Sequence, residues 1–177
     1  MNMMCATRWT PTLRETWRRI ESHDFAPAQP LNFAARLARD VGWAPGHARA
    51  AIEEYRRFCF LAVTCPAPVT PSEEVDQVWH LHLTYTRDYW DVWCSTALGA
   101  PLHHGPTQGG PAEQARYRAQ YAATLAAYEA FFGPPDAAFW PATHERFRSA
   151  ARYRIVDADR WFLLPRPRHW LHPRPGR

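Results

Sequence analysis

Apolar positions recur at spacings of three and four along most of the chain, the period of helices that bury one face. Leu13, Trp17 and Ile20 predict a first helix bounded by Pro11 and Pro27, with a loop beginning at Glu21 to Asp24. A second helix is expected from Leu31 to Val41, stopped by Gly42. A third runs from about His47 to Val63 on Ile52, Tyr55, Cys59 and Ala62, and Pro66 and Pro68 end it. The fourth has the strongest signals. Thr70 is the expected N-cap, Pro71 the first helical residue and Glu73 the returning carboxylate of a capping box. Glu73, Glu74 and Asp76 place negative charge where the helix dipole is positive. This helix should reach Cys94 or Leu98 and end before Gly99. A fifth opens at Pro111, carries the stripe Tyr117, Tyr121, Leu125 and Tyr128, and closes at Gly133; a last one covers roughly Ala142 to Tyr153. Strand-like alternation persists nowhere, with Arg152 to Trp161 the one doubtful stretch. The expected fold is all-α: a single irregular helical bundle of about five to six helices, with a Gly/Pro-rich loop between the fourth and fifth.

Composition narrows the class. The chain has 177 residues, 46% of them apolar and 21% charged, ordinary values for one globular domain. The longest apolar run, Phe58 to Val63, falls far short of the ~18 residues a membrane helix needs, and no apolar stretch follows the N-terminal methionines. The 21 basic residues are all arginine, and the formal charge is +4. Five of those arginines (160, 166, 168, 174 and 177) lie in an acid-free tail, so residues 1–159 are close to neutral. We therefore divide the chain into a helical domain, 1–159, and an Arg/Pro-rich tail, 160–177. Nucleic acid is not an expected partner, since a duplex binder more often carries positive charge on its folded face; the tail reads as a solvated end, with contact to phosphate or a membrane surface the alternative. The cysteines form no C-x-x-C pair. Cys59, Cys65 and Cys94 have apolar flanks and read as reduced core thiols of a cytoplasmic protein.

Candidate chemistry concentrates in the fourth helix and the loop after it. His80 and His82 lie in VDQVWHLHLTYTRDYWDVW, and His103 and His104 follow in GAPLHHGPTQGG. Imidazole is a common metal ligand, so this grouping makes a metal site the obvious reading. On a helix, however, H-x-H places the two rings about 200° apart. At about 100° per residue, Val75, Val78, His82, Tyr85, Tyr89, Val92 and Trp93 share an apolar arc with Trp79, Leu83 and Trp90. Asp76, His80, Thr84, Arg87, Asp88 and Asp91 share the opposite, polar arc. His82 is thus expected inside and His80 outside, and the two cannot chelate one ion on an undistorted helix.

Two arrangements survive that geometry. Asp76 and His80, at i and i+4, can act as a helical ligand pair or simply as a surface charge contact. His82 can meet His103 or His104 if the helix stops at Cys94. Alternatively, it is a neutral core histidine satisfied by a carbonyl or a tyrosine hydroxyl. Were the helix to reach Leu98, the return would be too long, and the loop histidines would sit near Trp93. Separately, Gly105, Gly109 and Gly110 could let the amides after Pro111 hold an anion, or form a plain turn. No G-x-S-x-G, H-E-x-x-H or G-x-G-x-x-G occurs, and nothing specific supports Cys94 as a nucleophile.

The segments PSEEVDQVWHLHLTYTRDYW, LGAPLHHGPTQGG, YAATLAAYEAFFGPP and FWP resemble the glycine-rich domain-containing protein-like family, particularly its bacterial members, over about residues 30–145. The resemblance implies that Asp76, Trp79, His80, His82, His103, His104 and Pro106 belong to one constellation, and it brings no established activity. Some plant relatives join an RNA-binding module. This chain has eight glycines and no such module, so RNA binding is not carried over.

The leading expectation is a cytoplasmic helical domain with a metal or small-ligand site drawn from Asp76, His80, His82, His103 and His104. Zinc is the first ion expected, with an open position for water. Hydrolysis would additionally need a carboxylate base, for which Asp76 or Glu113 is the candidate. The alternative is a protein–protein interaction module with structural histidines, to which nine tryptophans lend support.

Overall fold

A computed structural model describes residues 9–25, 31–105, 107–148, 153, 157, 159 and 160. The tail beyond Arg160 and most of 149–158 lie outside the described residues, and the reading of the tail as a solvated end lies there with them. Among the described residues there are six α-helices, one π-helix and no strand. These are α1 (Pro11–Ser22), α2 (Phe33–Val41), α3 (Pro45–Thr64), α4 (Glu73–Thr84), the π-helix (Asp88–Leu98), α5 (Pro111–Phe132) and α6 (Thr143–Arg146). No helix is long and apolar enough to cross a membrane.

Local chemistry explains most boundaries. Thr10 and Asn32 accept hydrogen bonds from Leu13 N–H and Ala35 N–H, satisfying donors that a helix start leaves unpaired. Pro11, Pro45 and Pro111 open their helices, where a missing N–H costs nothing. Gly42 ends α2 in the left-handed region (φ 73°), with its N–H on Ala38 O.

α3 is the central element. It packs against α1, α2, α4, α5 and the π-helix, and it buries Ala48, Ala51, Tyr55, Phe58, Cys59, Phe60 and Leu61. Such burial on nearly every side marks a helix surrounded by others. Around its C-terminal half, Trp9, Trp17, Phe131 and Phe132 pack on Phe60, tying α1 and α5 to the centre. Tryptophan here is core material: among the described tryptophans only Trp90 is exposed.

Several expectations are corrected. The N-cap of α4 is Ser72, whose hydroxyl accepts from Val75 N–H. Thr70 is occupied elsewhere, its N–H donating to Thr124 Oγ1 at 2.9 Å and its hydroxyl to Gln120. With the start moved two residues on, Glu73 is too early to close a capping box and instead pairs with Arg146 at 2.9 Å. The last helix stops at Arg146, where Phe147 turns away and packs on Tyr121. Cys59 and Cys94 are free and buried, as expected, but Cys65 is disulfide-bonded.

The largest correction concerns the fourth helix, which is two elements. Thr84 turns its hydroxyl back onto Leu81 O, and Tyr85 leaves helical geometry at φ −90° and ψ 58°. The chain then rewinds as a π-helix, in which each turn holds more residues than an α-turn. Side chains beyond the break therefore change phase. Trp90 and Val92, expected inside, are exposed, whereas Asp88, expected on the polar arc, points inward with only 15% of its side chain accessible.

Candidate metal centres on the two faces of one helix

Helix α4 presents its two histidines to opposite sides, as their spacing predicts. His82 is fully buried and His80 is exposed. Each joins its own group of carboxylate and imidazole.

The outer group contains Asp76, His80 and His104. One turn along the helix from Asp76, His80 brings Nε2 to 3.7 Å from Asp76 Oδ2. His104 comes from the glycine-rich loop, with Nε2 donating to Asp76 Oδ1 at 3.0 Å. The two imidazole rings lie 4.6 Å apart, and Trp79 backs His104 in an edge-on contact. Side-chain exposures of 27% for Asp76, 51% for His80 and 22% for His104 leave this group open to water. The loop reaches it although the helical segment runs to Leu98. The break at Tyr85 replaces the straight rod that would have carried the loop out of reach.

The inner group contains His23, His82 and Asp88, with Tyr55 behind it. His82 Nε2 lies 2.8 Å from Asp88 Oδ2, and His23 Nε2 lies 3.1 Å from that same oxygen. On its other side, His82 Nδ1 is 3.0 Å from the Tyr55 hydroxyl. A neutral His82 fits all contacts if Nε2–H donates to Asp88 and Tyr55 O–H donates to Nδ1. Phe25, Phe33, Tyr89 and Trp93 pack their rings around the imidazole. His23 follows α1, and its carbonyl accepts from Arg56, whose guanidinium also lies on Phe25.

Trp79 and Tyr89 separate the groups. Trp79 Nε1 donates to the Tyr89 hydroxyl at 2.8 Å, with His104 against one ring and His82 against the other. A cavity of about 620 Å³ opens over the far side of Phe25 and Phe33, with Arg49, Glu53 and Arg56 also on its wall.

The five residues singled out from the sequence thus fall in three places. Asp76, His80 and His104 are together, His82 is in the inner group, and His103 is in neither, lying against exposed Trp90. The carboxylate of Glu113 occupies the start of α5, taking the Thr107 hydroxyl and Gly109 N–H at 2.6 Å each. Those contacts hold its carboxyl below the usual range and leave the turn carrying its own anion. His23 and Asp88 were missed. His23 stood alone at the edge of a loop, and ideal helical steps turned Asp88 outward.

Burial pulls His82 below its ordinary value of 6.5, against the opposing pull of Asp88, while His23 and Arg56 add to the lowering. For Asp88 burial acts upward, but the hydrogen bond from His82 and the charge of His23 outweigh it and hold the carboxyl below 3.8. In both cases the unfolded chain takes up protons first as pH falls. His82 therefore contributes stability that is complete above pH 6.5 and erodes below it, and Asp88 contributes stability that survives until pH drops beneath 3.8. Urea unfolding in chelator between about pH 7.5 and about pH 5.5 should show wild type losing more stability than His82→Gln, whose side chain does not titrate. Equal losses would place that pH dependence on other histidines.

No curated protein and no solved structure matches the chain. The UCP032817-like family model matches residues 20–120, a span containing His23, Asp76, His80, His82, Asp88 and His104. The glycine-rich domain-containing name remains a resemblance carried by the motifs. With more than half of its length inside that match, the chain belongs to the UCP032817-like family.

Proposed function

We propose that this domain binds a divalent transition ion at Asp76, His80 and His104, with zinc the ion best suited to two imidazoles and a carboxylate. One observation carries this: ligand atoms from all three side chains lie within 4.8 Å of one another on a face open to water. Three protein ligands with solvent access match a site that keeps a position for water or a small ligand. The two carboxylates weighed as hydrolytic bases are both committed, Asp76 to the ligand set and Glu113 to Thr107, Gly109 and Arg116. We therefore assign a binding site and no reaction. Cytoplasmic location keeps the support of free Cys59 and Cys94 and loses that of Cys65. Docking of a protein partner is the second reading, favoured by exposed Trp90 and Val92 on the π-helix.

Elemental analysis of protein purified without a histidine tag tests the site. The variant carrying His80→Ala and His104→Ala is expected to hold one equivalent of zinc fewer than wild type, with unchanged helical circular dichroism. Equal zinc content in the two proteins would refute the assignment.

A further inference from the structure

The inner group has features that a hydrogen-bonded core histidine does not require. Two imidazole Nε2 atoms converge on a single oxygen, Asp88 Oδ2, rather than dividing between the two carboxylate oxygens. The remaining nitrogen of His82 faces the Tyr55 hydroxyl: with an ion on Nε2 the ring proton sits on Nδ1 and is donated to that oxygen, the kind of bond that fixes a metal-bound imidazole in position. The two Nε2 atoms lie 2.8 and 3.1 Å from Asp88 Oδ2, and small shifts would bring them to the roughly 3.3–3.6 Å spacing of ligands bonded at about 2.0–2.2 Å around a tetrahedral ion. Rings of Phe25, Phe33, Tyr89 and Trp93 shield His82, whose side chain is wholly buried, while those of His23 and Asp88 are 7% and 15% accessible. Arg56 is a nearby cation, and its Nη1 and Nη2 donate to the carbonyls of Ile20 and His23.

We infer that His23, His82 and Asp88 form a second metal centre, inside the fold, for a divalent first-row transition ion. The three ligands come from different segments: the end of α1, α4, and the first residue of the π-helix. An ion there would fasten α1 to the break in the fourth helical segment, and Tyr55 acts as a positioning residue. The break itself fits this role, because it is what turns Asp88 toward His82. The inner centre depends on no ligand of the outer one, so each can fail without the other.

The test uses the full chain, stripped with chelator and titrated with Co²⁺ alone, read by visible absorption and by bound-metal analysis. Wild type is expected to bind two equivalents. The variant lacking His80 and His104 is expected to keep one, with X-ray absorption showing two imidazoles on the ion. Adding His23→Gln or Asp88→Asn to that variant should abolish the remaining equivalent. Adding Tyr55→Phe should weaken it by about 10–100-fold. If wild type binds one equivalent and the double variant still keeps it, the outer site fails and the inner one stands. If the double variant binds none, or its cobalt carries fewer than two imidazoles, the inner centre is refuted even where the added substitutions prevent folding. Undiminished binding after a folded His23→Gln would refute it equally.

Discussion

Replacing Glu54 with alanine is expected to cost the fold about 3–5 kcal/mol, chiefly because two buried donors would each lose their acceptor at about 1–3 kcal/mol, with a smaller part from the partly exposed Arg57 pair. Glu54 is 6% exposed, and its carboxylate ties α3 to α5 and to the turn at Trp140. Oε2 accepts from the Tyr128 hydroxyl at 2.7 Å and from Trp140 Nε1 at 2.8 Å, while Oε1 accepts from Arg57 at 2.8 Å. Arg57 also donates to the Tyr128 hydroxyl at 2.6 Å, closing the network. Burial, together with the hydrogen bond to Glu54, pushes the Tyr128 hydroxyl up to about 12, so it remains a donor at any working pH. Alanine would leave two buried donors and a guanidinium without their acceptor. Glu54→Gln keeps the shape and one oxygen acceptor, and should cost about 1.5–3 kcal/mol, the worth of a hydrogen bond to a charged group. Chemical denaturation of the two variants measures both. A loss below about 1 kcal/mol for alanine would show that the network does not support the α3–α5 contact.

His82→Ala should be comparably damaging, at about 3–5 kcal/mol in chelator, for a different mixture of reasons. The substitution empties a space walled by the rings of Phe25, Phe33, Tyr55, Tyr89 and Trp93, and all of these but Phe25 are fixed on helices. It also removes the imidazole partner of the Tyr55 hydroxyl, leaving that group only the weak thiol of Cys59, and takes away one of the two imidazoles on Asp88. Tyr55→Phe, which deletes a single hydroxyl, should cost about 1–3 kcal/mol, the penalty of one unsatisfied buried nitrogen. The ordering is the sharper check: alanine at 82 must hurt more than phenylalanine at 55. His103→Ala, at an exposed ring against Trp90, serves as the control and should stay within about 0.5 kcal/mol of wild type.

Local signals in the sequence determined the helical character, the stops at Gly42 and Gly133, the proline starts at Pro11 and Pro111, and the opposed faces of His80 and His82. Each depends on the conformational preferences of neighbouring residues or on spacing within one turn, so distant contacts are not needed to read them. The tertiary structure decided the rest. Ser72 became the cap because Thr70 was drawn onto α5. Asp88 turned inward because the break at Tyr85 reset the helical phase, an effect that regular 100° steps cannot register. His23 met Asp88 across 65 residues, and Glu54 met Trp140 across 86. Pairings of that kind are set by how packed helices bring remote segments together, and no periodicity within either segment encodes the partner.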